Sequence, residues 1–177
     1  REVVTAKQAQ ALLQEPPGFA LALQALEQWL QQTGQYLCAL GAVDYPLSLL
    51  LSPDPPLCLY VQCADRHWWQ SWAKQEQAPL LGMVGSRNPS PQGQRIAKEW
   101  AQELAQSGVS VISGLALGID AAAHIGALQA PAWGLGRSIA VVGTGLDIVY
   151  PKQHAHLAQQ VLDAGGAINS TGGSSKD

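Results

Sequence analysis

Charge is scarce in this sequence. Asp, Glu, Lys and Arg make up 13% of its 177 residues, and 10 basic side chains face 13 acidic ones, for a net charge of −3. Such a chain does not attract a polyanion through its overall field, so any phosphate binding must come from a local arrangement. No apolar run reaches the roughly 18 residues that span a bilayer, and "REVVTAKQAQ" has neither the apolar stretch nor the cleavage site of a signal peptide. A soluble, cytoplasmic protein without a membrane partner is the expectation. Cysteine is limited to Cys38, Cys58 and Cys63, an odd number without paired spacing, which favours reduced core thiols over a disulfide framework. Also missing is G-x-G-x-x-G, so nothing supports an ordinary dinucleotide site and no cofactor is expected. His154 and His156 diverge on a helix, while His67 and His124 lie on separate elements, so no metal site is expected either.

What is present is apolar: 47% of the residues are hydrophobic, enough to drive folding. Residues 1–34 are rich in Ala, Leu and Gln, and Leu21, Ala25, Leu26 and Trp29 recur at helical spacing. Pro16, Pro17 and Gly18 divide the stretch into two helices and Gly34 ends the second, predicting a small helical module with a packing face. Residues 35–177 form the second predicted domain. "QYLCALGAV" and "LCLYVQC" read as strands, and "ADRHWWQSWAKQEQ" as a helix with Trp68 and Trp72 as core candidates on one face. Then short apolar strands ("LLGMVG", "VSVIS", "SIAVVG") alternate with amphipathic helices ("PSPQGQRIAKEWAQELAQSG", "GIDAAAHIGALQA", "KQHAHLAQQVLDAG"). This alternation predicts an α/β fold, a Rossmann-like, largely parallel sheet with helices on both faces. The closing "GGAINSTGGSSKD" reads as a Gly/Ser linker or tail.

In such a sheet, ligands bind where strands deliver the chain into helices. The first corner, "GMVGSRNPSPQGQ", holds Gly85, Ser86 and Arg87, with Ser90 as N-cap and Pro91 as first helical residue. The helix end offers free N–H groups and Arg87 a charged fork, which together suit a phosphate. The second, "SGLALGID", holds Gly114 and Gly118, where backbone can approach a ligand; Asp120 and His124 share a face one turn apart, and a structural pair is favoured over a catalytic one. The third, "GTGLDIVYPKQH", holds Gly143 and Gly145; Pro151 is expected to open a helix with Lys152 in its first turn, a disfavoured place for a cation unless an anion is bound there.

The stretches "DYPLSLLLSPDPPLCLYVQ", "MVGSRNPSPQGQ", "VISGLALGIDAAAHIGAL" and "IAVVGTGLDIVYPKQH", in this order, resemble the DNA-processing protein A family (DprA, also called Smf). The resemblance implies a non-enzymatic protein that binds and protects single-stranded DNA and loads the RecA recombinase onto it in natural transformation. It also implies that Arg87 and Lys152 contact the DNA backbone, and a homodimer where the family's second half is present. Trp133 and Arg137, in "QAPAWGLGRS", match no role in the family. The alternative is a nucleotide-binding or nucleoside-monophosphate-hydrolysing protein on a related core, although its "PGGxGT" stretch is absent here.

Overall fold

The computed structural model describes residues 5–74, 79–131 and 136–170. The chain divides into two compact units, at Thr33 and Gly34. The first holds α1 (Ala6–Leu12) and α2 (Phe19–Leu30), separated at the proline pair, with Gly18 entering α2 at a left-handed φ of 81°. The predicted packing face does not form a core: Leu21 and Ala25 are exposed, Leu26 and Trp29 are half-buried, and α2 has no buried residue. Size is the physical reason, because a pair of helices shorter than roughly 40 residues has too little interior of its own to enclose side chains.

The second unit is built on six strands, β1 (Gln35–Ala39), β2 (Cys58–Cys63), β3 (Leu80–Gly82), β4 (Ser110–Ser113), β5 (Ser138–Val142) and β6 (Ala167–Ser170). Their order across the sheet is β1-β2-β6-β5-β4-β3. The β3–β4, β4–β5 and β5–β6 pairs are parallel, whereas β1–β2 and β2–β6 are antiparallel. The sheet is mostly parallel, as the alternating pattern predicts. Strand β6 corrects the reading of "GGAINSTGGSSKD" as a linker: Ala167–Ser170 is a strand between β2 and β5, pairing Cys63 with Ala167 and Ala140 with Ile168. Four residues, half of them polar, carry too weak a periodicity to announce a strand; two neighbours supplying ladders decide it. Residues 171–177 of that tail lie outside the described residues.

Alternation along the strands sends side chains to two faces. Val111, Ala140 and Ile168 face α5 (Pro91–Gln106), α6 (Ile119–Leu128) and α7 (Ala155–Asp163). Ile112, Ile139 and Ala167 face α4 (Arg66–Ala73). The three crossover helices share a face because β3, β4, β5 and β6 advance in one direction across the sheet, and crossovers of one hand then all fall on one side.

Helix α4 starts at Asp65, whose carboxylate accepts the Trp68 N–H at 2.9 Å. Its buried tryptophan is Trp69, whose indole donates to the Asp44 carbonyl at 3.1 Å. Trp68 and Trp72, the predicted core candidates, are half-buried, pack against that core and stack on each other with ring centroids 6.0 Å apart. Their shared face packs as the spacing predicts, and Trp69 beside them is the fully buried one. Arg137 has a structural role here: its guanidinium lies over the Trp68 ring at 5.5 Å and donates to the Ala164 carbonyl. Trp133 lies outside the described residues.

All three cysteines are free thiols. Burial pushes Cys38 up to about 12 and Cys63 up to about 11, so both stay protonated and unreactive at neutral pH. Among the described residues, no helix is long and apolar enough to cross a membrane.

Candidate functional site

The three strand-end corners are fastened to one another by hydrogen bonds to backbone carbonyls. In the first, Ser90 caps α5 by accepting the Gly93 N–H at 3.1 Å, and Pro91 is its first residue. Ser86 folds the loop by accepting the Asn88 N–H at 3.0 Å. Two bonds tie this corner to the second: Ser113 Oγ donates to the Met83 carbonyl at 2.7 Å, and Ile119 N–H donates to the Ser86 carbonyl at 3.1 Å. The approach is so close that a Cβ on Gly118 would sit 2.2 Å from the Ser86 carbonyl oxygen, and one on Gly85 would sit 2.7 Å from the Ile119 side chain. Gly118, at φ 80° and ψ −119°, also adopts a backbone conformation that glycine alone takes readily.

The second corner is held from beneath by Asp120. Its Oδ2 accepts N–H groups from Gly114 at 3.1 Å and Ala116 at 3.3 Å. Between them Leu115 takes a left-handed φ of 60°, unusual for a branched residue, with its side chain buried in the core. The Leu115 carbonyl accepts the His154 Nδ1 proton at 2.8 Å, and so the third corner is fastened to the second.

Asp120 and His124 do not bond to each other. His124 is buried, with Nδ1 against Ser138 Oγ at 2.7 Å and Nε2 unpartnered. Burial pushes its imidazole down to about 4, opposed by Asp120 and the Ser113 backbone. Asp120 is occupied by two amides and His124 by Ser138 in the core, so each holds its own part of the structure and the expected hydrogen-bonded pair does not form.

Arg87, Gly114 and Gly143 meet around an open hollow of about 220 Å³, shared with Thr144, Tyr150 and Pro151. The other predicted residues do not line it. Gly85, Ser86 and Gly118 form the packed junction just described, Ser90 caps α5, and Gly145 closes the loop by accepting the Ile148 N–H at 3.1 Å. Lys152 follows the lining residue Pro151 and is exposed. Its helical setting differs from the expectation: Pro151 is extended, Lys152–His154 form a single 3-10 turn, and α7 begins only at Ala155. Lys152 is thus the first residue of a 3-10 turn that runs directly into α7, and it stands at the positive end of the helix as expected, with Pro151 one place ahead of the turn. The turn closes where His154 N–H bonds back to the Pro151 carbonyl at 2.9 Å while the His154 ring is held by the distant Leu115 carbonyl.

Among the described residues, neither Arg87 nor Lys152 has an ion-pair partner; the ion pairs join Arg66 to Asp44 and Arg95 to Glu99. Arg87 lines the hollow beside the exposed backbone of Gly114 and Gly143, and Lys152 is the neighbour of the lining residue Pro151. Sequence reasoning missed Thr144 and Tyr150. Thr144 stands inside the quoted "GTG" corner, and the available signal for Tyr150 was an aromatic directly before Pro151, which the reading of that proline as a helix opener obscured.

Residues 36–175 match the family model described as DNA recombination-mediator protein A. The Smf protein of Escherichia coli strain K12 is 37% identical over 167 residues, which are 94% of this chain and 41% of that protein. Among solved structures, DNA processing protein A of Streptococcus pneumoniae superposes with a TM-score of 0.67 at 30% identity, covering 87% of this chain and 49% of the other. DNA processing protein A of Helicobacter pylori, solved to explain its unique single-stranded DNA binding mode, gives a TM-score of 0.61 at 26% identity, covering 78% and 57%. The chain thus spans about half or less of the length of the E. coli and S. pneumoniae proteins it matches.

Proposed function

The chain belongs to the DNA recombination-mediator protein A family, and on that footing we propose that it binds the sugar–phosphate backbone of single-stranded DNA across its three strand-end corners. One observation carries the reading: Arg87 opens, without a carboxylate partner, onto the same hollow as the glycine backbone of the other two corners. In this cradle Arg87 supplies a planar fork for one phosphate, Lys152 supplies a point charge beside Pro151, and the side-chain-free backbone at Gly114 and Gly143 lets the strand come close to both. In this role the protein works by binding and not by chemistry, protecting the strand and passing it to RecA recombinase. The solved H. pylori relative, with its single-stranded DNA binding mode, supports this substrate class.

The test is a fluorescence-anisotropy titration of single-stranded and duplex oligonucleotides over a salt series. A single strand brings its backbone to the cradle and offers bases for additional contacts, so it should bind more tightly than the duplex. Arg87→Ala and Lys152→Ala should each weaken binding by a similar factor on every sequence and flatten the salt slope by about one or less. Parent-like binding by both variants across the series overturns the cradle. Base release from nucleoside monophosphates would favour the hydrolase alternative.

A further inference from the structure

The three corners are not held together equally. The first and second share two hydrogen bonds and the close approach of Gly118 to the Ser86 carbonyl. The third is tied more lightly. Among the described residues, and outside the strand ladders, the bond from His154 Nδ1 to the Leu115 carbonyl is the only hydrogen bond that joins residues 143–154 to the other two corners. Packing does not replace it, because the same loop lies over a hollow of about 160 Å³ lined by Leu115, Leu146, Val149 and Leu162. Apolar side chains that border open space make fewer contacts and fix position weakly. Leu115 is itself the residue with the left-handed φ of 60°, held there by the Asp120 bonds to the amides of its two neighbours. A branched residue kept in that conformation, with its carbonyl committed to another corner, is local strain of the kind that functional sites retain.

We propose that His154 is a positioning residue for the bound strand: its bond to Leu115 sets Lys152 relative to Arg87 so that both meet phosphates of one single strand, an inference that rests on the DNA reading above. His154 is engaged twice. Its backbone N–H closes the 3-10 turn on the Pro151 carbonyl at 2.9 Å, and its ring anchors that turn to the second corner at 2.8 Å. Lys152 stands between the extended Pro151 and this anchor, which gives its backbone one direction. A chain of contacts therefore runs from Asp120 through the Gly114 and Ala116 amides to Leu115, and through the Leu115 carbonyl to His154 and the turn. Arg87 belongs to the corner fastened to the same Leu115 segment, so both cations are referred to one frame. The chemistry of the bond is specific. A carbonyl only accepts, so the neutral ring must carry its proton on Nδ1, and asparagine, whose amide nitrogen is also joined to Cγ, can donate from the same place.

The test is a double-mutant cycle on oligothymidylate, read by fluorescence anisotropy from low salt upwards, where weak binding is still measurable. His154→Ala should weaken binding about three- to tenfold and flatten the salt slope by as much as Lys152→Ala does. In a chain that already carries Lys152→Ala, the same change should cost less than about twofold, whereas in one that carries Arg87→Ala it should keep its full effect. His154→Asn should bind as the parent does. A measurement on the parent needs no variant at all: nitrogen-15 NMR of the neutral His154 ring should find the proton on Nδ1. A loss of undiminished size in the Lys152→Ala chain overturns the proposal, because His154 would then support the fold at large. Parent-like binding by His154→Ala, alanine-like binding by His154→Asn, or a ring proton on Nε2 overturns it as well. Parent-like binding by Lys152→Ala removes Lys152 from the cradle and the role of His154 with it. Failure of the parent to bind the strand overturns the DNA reading itself.

Discussion

The two faces of the sheet are packed with different materials. Under α4 the interior is made of large side chains, Trp69, Tyr36, Tyr45, Leu59, Val61 and Ile139, with Trp69 and Tyr36 in edge-to-face contact at 6.4 Å. On the other face the material changes from place to place: Leu115, Leu157, Val161 and Ile168 pack around α7, while Ala101, Ala105, Ala123 and Ala127 fill the space between α5, α6 and β4. There α6 lies so close to α5 that a Cβ on Gly126 would sit 2.1 Å from the Lys98 carbonyl oxygen. Large side chains bury more apolar area each and contribute more stability. Small ones let backbone approach backbone, and the second and third corners are delivered from this side. Stability and positioning are thus placed on opposite faces of one sheet.

Substitutions should separate the two roles. The largest effect is expected at Trp69, where replacement by alanine empties the α4 face and removes the indole bond to Asp44; a loss of about 3–5 kcal/mol in urea unfolding is expected, with DNA affinity of the folded fraction unchanged. Reduced affinity in the folded fraction would show that the α4 face also sets the corners.

Acidification acts on the other face. His124 is neutral in the folded protein, with its imidazole at about 4 against 6.5 when unfolded. Between those values the unfolded chain binds the proton and the native one does not. The stabilisation is therefore complete above about pH 6.5 and lost as pH falls towards 4, on the order of 3 kcal/mol in total. Unfolding curves at pH 7 and pH 4.5 should show this fall, and His124→Gln should have a shallower pH dependence than the parent.

Asp120→Ala leaves the Gly114 and Ala116 amides without their acceptor and should cost about 1–3 kcal/mol. It should also weaken binding of a single strand, since the Gly114 backbone lines the cradle. A stability loss with parent-like affinity would confine Asp120 to the fold. The smallest effect on stability is expected at the cradle cations: Arg87→Ala and Lys152→Ala should each stay within about 0.5 kcal/mol of the parent in thermal melts, as exposed residues without ion partners.

Much of this organisation is legible in the sequence, for reasons that differ by element. The parallel strands announce themselves as short apolar runs between amphipathic helices, and Ser90-Pro91 marks the start of α5 because a hydroxyl cap followed by proline has one strongly favoured use. Arg87, Gly114 and Gly143 line one hollow because the ends of neighbouring strands lie side by side in such a sheet. What escaped depends on contacts distant in sequence. Strand β6 exists through its neighbours, Trp69 is buried through the placement of α4, and the 3-10 turn at Lys152 forms alongside a bond from His154 to Leu115. Local periodicity contains none of these. The N-terminal helices show the reverse, a clear periodic signal whose apolar face has no interior to enter within its own unit.

Strand β6 also bears on how the molecule is assembled. The β1–β2 hairpin is local, and β3, β4 and β5 follow one another through helical crossovers, so each half-sheet can form from neighbouring sequence. The seam between them cannot, because Cys63 must find Ala167. Joining is a long-range search whose loop entropy must be met before its contacts form, which makes it the expected slow step of folding. Until that seam closes, the facing edges of β2 and β6 are open ladders, and an open edge accepts a foreign strand as readily as its own. During synthesis the β2 edge would wait for residues 167–170, the interval in which a chaperone or a second nascent chain would find this protein most receptive.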